Sequence, residues 1–190
     1  MSFVHKSIRS SNILITYSAP LPPDPTAPSL TSSPDQSSEL QSTEGPQIGT
    51  PYLVGFSYAR RGTARSTGSS RADWRNEIYR HPERQGAELG IDPEVYYKAY
   101  HDVYSLGVVL LELGLWERLD AKSHKKLKRA LPKEKKIYLI DLANNHLLLK
   151  IDSKYAAIVK ECLEVDRVRE GTEEQMTVQR VLEELEELRF

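Results

Sequence analysis

One cysteine, Cys162, stands in 190 residues. An intramolecular disulfide is therefore excluded, and nothing points to an oxidising compartment. Cys162 falls on an apolar helix face, where a thiol reads as buried and inert rather than nucleophilic. A surplus of one charge is missing as well: 26 Lys and Arg meet 27 Asp and Glu, leaving −1, which fits neither a polycation nor an acidic tail. The first residues carry no apolar stretch with a small-residue cleavage site, so no signal peptide is read there. The most hydrophobic run, Val103 to Leu115, contains Glu112 and falls short of the roughly 20 residues a bilayer requires. It reads as a buried core helix, no membrane span is expected, and the default location is cytoplasmic. No repeat period is visible. His5, His81, His101, His124 and His146 show no ligand spacing with one another or with Cys162, so no zinc site is expected.

What is present divides the chain into three regions. Residues 1–17 include a β-rich run, Asn12-Ile13-Leu14-Ile15-Thr16-Tyr17. Residues 18–50 are rich in Pro, Ser and Thr and hold seven of the eleven prolines. Such a stretch buries too little apolar surface to offset its ordering entropy and reads as a disordered insert. Residues 51–190 are globular in composition. Pro51 to Phe56 reads as a short strand, and a loop rich in Arg, Ser, Thr and Gly follows from Ser57 to about Arg75. Asp102 to Trp116 is apolar nearly all round, and a helix without a polar face must be enclosed by protein. Tyr155, Ile158, Val159, Cys162 and Leu163 fall at i, i+3, i+4, i+7 and i+8, the spacing of an amphipathic helix. A last helix starts at the capping-box pattern Thr172-Glu173-Glu174-Gln175 and carries Val178, Val181, Leu182, Leu185 and Leu188 along one stripe.

Four short motifs follow one another along this frame. Val4-His5-Lys6-Ser7-Ile8-Arg9-Ser10-Ser11-Asn12-Ile13-Leu14 resembles the protein-kinase catalytic loop, His-Arg-Asp-Leu-x-x-x-Asn followed by an apolar strand. Leu53-Val54-Gly55-Phe56 resembles the strand leading into the kinase Asp-Phe-Gly. Tyr79-Arg80-His81-Pro82-Glu83 is similar to the Ala-Pro-Glu that closes a kinase activation segment. Asp102-Val103-Tyr104-Ser105-Leu106-Gly107 and the apolar residues after it resemble the start of the large central helix of kinase C-terminal lobes. The stretch 18–50 accounts for the one anomalous separation, since loop-closure entropy grows slowly with length. The resemblance covers essentially the whole chain outside that stretch. It implies a mostly α fold, a protein-kinase-like C-terminal lobe with a short β-hairpin near the N-terminus. Residues 51–56 and 79–83 look in particular like the kinase-like domains of fungal prion-inhibition-and-propagation (HeLo-associated) proteins.

The resemblance also implies roles. His5 and Phe56 would stack in the column that ties kinase lobes together. Asp102 would accept hydrogen bonds from the catalytic-loop backbone, and Glu83 would cap the activation segment. Arg167 and Arg169 are candidates for the arginine that pairs with that glutamate. Ser7, however, stands where kinases keep the catalytic aspartate, and a serine hydroxyl is no useful base at neutral pH, a loss of about 10²–10⁴ in rate. Gly55 stands where the Mg²⁺-binding aspartate would be, leaving Asn12 alone as a poor hard-cation site. The chain begins three residues before the first motif, so the glycine-rich loop and phosphate-binding lysine of an N-terminal lobe are expected to be missing. His5, Lys6, Ser7 and Asn12 therefore read as a degenerate loop and Gly55 and Phe56 as a degenerate cofactor position, with no catalytic, cofactor or metal residue.

Two basic stretches admit two readings each. Arg60, Arg61, Arg65, Arg71, Arg75 and Arg80 are interleaved with Ser66, Thr67, Ser69 and Ser70. They read as a solvated mobile loop or as a phosphorylatable switch in which phosphate pairs with arginine. Lys122, Lys125, Lys126, Lys128, Arg129, Lys133, Lys135 and Lys136 read as a solvated helix face, with Leu127, Ala130 and Leu131 turned inward, or as a surface for an anionic partner. The expectation for the whole is a pseudokinase fragment that acts as a protein-interaction or signalling module, with a protein partner, no nucleic acid and no cofactor. The alternatives are a kinase that binds ATP and Mg²⁺ and transfers phosphate to Ser or Thr once its N-terminal lobe is present, and a remnant without selected function.

Overall fold

The computed structural model describes residues 3–16, 49–61, 73–86, 97–165 and 172–187. Residues 18–48 of the 18–50 insert reading, the Ser/Thr-bearing part of the basic loop, Arg167, Arg169 and Leu188 lie outside them, while Thr50, at the end of that stretch, accepts from the Thr16 N–H at 3.2 Å. The described chain is mostly helical, with two short antiparallel ribbons near its N-terminus. In one ribbon β1 (Phe3–Val4) pairs with β4 (Arg60–Arg61). In the other β2 (Ile13–Ile15) pairs with β3 (Pro51–Leu53), with Leu14 opposite Tyr52. Sequence reading finds only the second, because strands of two residues leave no alternation to detect and β4 lies inside what reads as loop.

Five α-helices follow among the described residues. Helix α1 (Trp74–Glu77) starts where the Asp73 side chain accepts from the Arg75 N–H at 3.2 Å. Helix α2 (Ala99–Leu115) crosses the core, and α3 (Pro132–Asn145), α4 (Ser153–Glu164) and α5 (Thr172–Glu186) complete the set. Tyr104, Val108 and Leu111 of α2 are fully buried with Leu139 of α3 and Val159 and Leu163 of α4. The amphipathic reading of α4 holds: Tyr155, Ile158, Val159, Cys162 and Leu163 all face inward. Helices α2 and α4 approach so closely that a Cβ on Gly107 would lie 2.6 Å from Cys162 Cβ. Only a residue without a side chain lets them meet there.

Enclosure of α2 is incomplete. Leu113 is 50% exposed and Trp116, the left-handed residue that ends the helix (φ 54°), is 86% exposed. A helix apolar all round gives no stripe from which to read its outer face, so the sequence expectation of full enclosure overreaches by these two positions. Leu131 is likewise 50% exposed rather than turned inward, whereas Leu127 is fully buried in the 3₁₀ turn Lys122–Lys128. Most of the basic cluster is solvated, with Lys135 buried. In α5, Val181 is buried and Leu182 45% exposed. No helix among the described residues is long and apolar enough to cross a membrane.

Candidate functional site

The site gathers where the loop after β1 runs beneath the start of α2. Asp102, in the first turn of α2, reaches across 97 residues of sequence to accept from the His5 N–H at 2.6 Å through Oδ2. Its Oδ1 accepts from the Lys6 N–H at 3.0 Å and from the Tyr97 hydroxyl at 3.0 Å. Burial raises the Asp102 pKa, and the donors at His5, Lys6 and Tyr97 offset that only in part. Lys6 has φ 66°, a conformation that costs a residue with a Cβ of order 1 kcal/mol. The two N–H groups fixed on one carboxylate are what hold it.

Beyond Lys6 the loop closes on itself. The Ser7 N–H donates to His5 Nδ1 at 3.2 Å. Asn12 Nδ2 donates to the Ser7 carbonyl at 2.8 Å and to Ser7 Oγ at 2.9 Å. The Asn12 amide nitrogen is therefore spent on Ser7, and Gly55 packs against that same nitrogen. Gly55 has φ 90°, and a Cβ there would lie 2.6 Å from Asn12 Nδ2. A side chain at this position would be strained and would have to displace the Asn12 amide. Phe56 follows in a 3₁₀ turn and meets His5 edge to face at 4.6 Å between ring centroids, with 57% of its surface exposed.

A second cluster supports the start of α2 from the segment after α1. Glu83 Oε2 accepts from the Tyr100 hydroxyl at 2.6 Å and from His101 Nε2 at 3.4 Å, with His81 Nδ1 3.7 Å away. Among the described residues the partners of Glu83 are this tyrosine and histidine, and the candidate arginines, Arg167 and Arg169, lie outside them. Burial pushes the Glu83 carboxyl up, but the Tyr100 and His101 hydrogen bonds outweigh it and hold it below the usual range. His81, Glu83 and His101 bring potential ligand atoms within 4.8 Å of one another, a grouping that linear spacing does not reveal. Their hydrogen bonds account for it without an ion. The Lys98 N–H points at His101 Nδ1 from 3.0 Å, so that nitrogen keeps its lone pair and Nε2 carries the proton donated to Glu83. A metal at Nε2 would require the opposite tautomer. Burial above all, with His81 adding, lowers the His101 pKa to about 3.

Tyr79 and Glu112 are neighbours of the site that sequence reasoning missed. Tyr79 donates to Glu112 Oε2 at 2.7 Å and meets Ser10 Oγ at 2.8 Å, while Glu112 Oε1 accepts from the Leu119 N–H at 2.8 Å. The lone carboxylate in an apolar helix was the available signal. Between this chain of bonds and the loop lies a cavity of about 180 Å³, lined by Lys6, Ser7, Arg9, Asn76, Arg80 and Tyr97 among others. Neither a protein-family model, nor a curated protein, nor a solved structure matches the chain.

Proposed function

We propose that the chain is a protein-kinase-like C-terminal lobe without phosphotransfer chemistry, serving as a protein-interaction or signalling module. One contrast carries the reading. The architectural carboxylate Asp102 grips the backbone of the catalytic-loop-like segment, while the two positions that would need chemical carboxylates hold Ser7 and Gly55. The antiparallel partners of β1 and β2, the His5–Phe56 contact and the bonding of Glu83 support the same reading. The motifs at 51–56 and 79–83 support the narrower proposal of kinship with fungal HeLo-associated kinase-like domains.

Phosphoryl transfer relies on positioned metal, phosphate-binding cations and a base or orienting group at the acceptor. Ser7 offers a neutral hydroxyl, and Asn12, whose amide nitrogen donates to that serine, has a single neutral oxygen left to offer a cation. What the surface does offer is apolar area: Leu14, Tyr52 and Phe56 are 54%, 53% and 57% exposed, on the ribbon and the turn beside it. Leu14 and Tyr52 stand opposite each other across the ribbon, and exposed apolar side chains grouped in this way favour an interaction face. The test is incubation of the purified chain with MgATP or MnATP and a generic protein acceptor. Phosphate incorporation should not exceed that of a boiled control, and millimolar MgATP should leave the melting temperature unchanged. Turnover that disappears in Ser7→Ala would overturn the proposal.

A further inference from the structure

The cavity beside Ser7 is cationic in a way the reading above does not use. Lys6, Arg9 and Arg80 all line it. Arg80 is neutralised by Glu77, its Nη1 lying 2.6 Å from Oε1. Asp102 spends both oxygens on backbone N–H groups and Tyr97. Arg9 is different: its Nη1 donates to a neutral acceptor, Asn76 Oδ1, at 2.6 Å, and among the described residues no carboxylate pairs with it. Its Nε is buried with no acceptor among them. Lys6 lines the same cavity with its ammonium engaged over the Tyr97 ring, 5.5 Å from its centre. Ser7 completes the set, because its Oγ accepts from Asn12 and its own O–H is left to donate.

We propose that this cavity is a receptor for a phosphorylated serine or threonine side chain on a bound peptide. A guanidinium and a hydroxyl on one cavity suit a tetrahedral dianion, which has oxygens enough for both donors. A carboxylate at position 7 would repel that ligand; a serine attracts it. The inference goes beyond the proposed function and stands on these charges alone. A cavity that failed to bind would leave the kinase-like reading intact, and detectable phosphotransfer would leave the cavity's charges unchanged.

The experiment is fluorescence anisotropy with a labelled Ala/Gly-rich peptide carrying one phosphoserine, beside its unphosphorylated form, with inorganic phosphate as competitor. The phosphopeptide should bind at least about tenfold more tightly than the plain peptide, the worth of one charge-assisted hydrogen bond. Arg9→Gln should remove about that factor at unchanged melting temperature, and Ser7→Ala a smaller part of it. Inorganic phosphate should displace the peptide only at much higher concentration. Equal affinity of the two peptides, binding of inorganic phosphate alone, or phosphopeptide affinity untouched in both folded variants would overturn the proposal.

Discussion

Asp102 is the residue on which the loop conformation turns. Replacing it with asparagine puts an amide NH₂ where one oxygen now accepts, and at least one N–H of His5 or Lys6 then loses its partner. The expected cost is about 1–3 kcal/mol, read as a lower urea midpoint. Ser7→Ala removes only the Oγ acceptor of Asn12, whose amide keeps the Ser7 carbonyl, and should shift the midpoint by less than about 1 kcal/mol. Equal effects of the two substitutions would contradict the geometry. His101 gives a second residue-scale expectation. Its folded pKa is depressed to about 3 from an ordinary 6.5, so below pH 6.5 the unfolded chain takes up a proton that the folded chain refuses. Stability from this group is complete above pH 6.5 and declines as the pH falls towards 3, by at most about 1.4 kcal/mol per unit. Melting curves of the parent chain and His101→Gln across that window should converge in slope if other groups alone govern it, and diverge as described here. Asp102 and Glu83 were legible in the sequence as single residues at fixed places in motifs. The meeting of His81 with His101 was not, because 19 residues of intervening chain and the turn of α2 decide it.

At the scale of elements, the contact between α2 and α4 sets the tightest demand. Gly107→Ala places a methyl 2.6 Å from Cys162 Cβ and 3.2 Å from backbone atoms of Cys162 and Leu163. The helices must part, at a cost of about 1–3 kcal/mol. Cys162→Ala cannot rescue it, since alanine keeps the obstructing Cβ, whereas Cys162→Gly should relieve part of the strain. Thermal melts of the two double variants distinguish these outcomes. Helix α4 was readable because its apolar residues keep one face; the cap in which the Asp152 side chain accepts from the Lys154 N–H at 3.0 Å was not read from the sequence. For α2 the sequence shows that a buried helix exists but not how it is rotated, which is why Leu113 and Trp116 had to be placed by the fold. The β1–β4 ribbon was hidden for another reason: Val4 pairs with Arg60, a long-range contact that two-residue strands leave no local pattern to announce.

Across the whole molecule, helices α2, α3 and α4 form one buried cluster and the ribbons sit at its edge. The sole thiol lies in the middle of that cluster, fully covered, with its pKa pushed up to about 12 chiefly by burial. A thiol held in its protonated form behind packed side chains reacts only after the packing opens. Cys162 is therefore a built-in clock. Its labelling rate with an excess of a thiol reagent at neutral pH should equal the rate of opening multiplied by the share of openings that end in capture. A reagent series at rising concentration should reach a plateau set by unfolding alone, and Gly107→Ala should raise that plateau if α2 and α4 part early. Labelling at the rate of an exposed cysteine in the native chain would show that the α2–α4 seam breathes independently of the rest. A plateau matching the global unfolding rate would make the seam the last contact to yield, so that one covalent mark per molecule would record, for each chain in a mixed population, whether it had ever come apart.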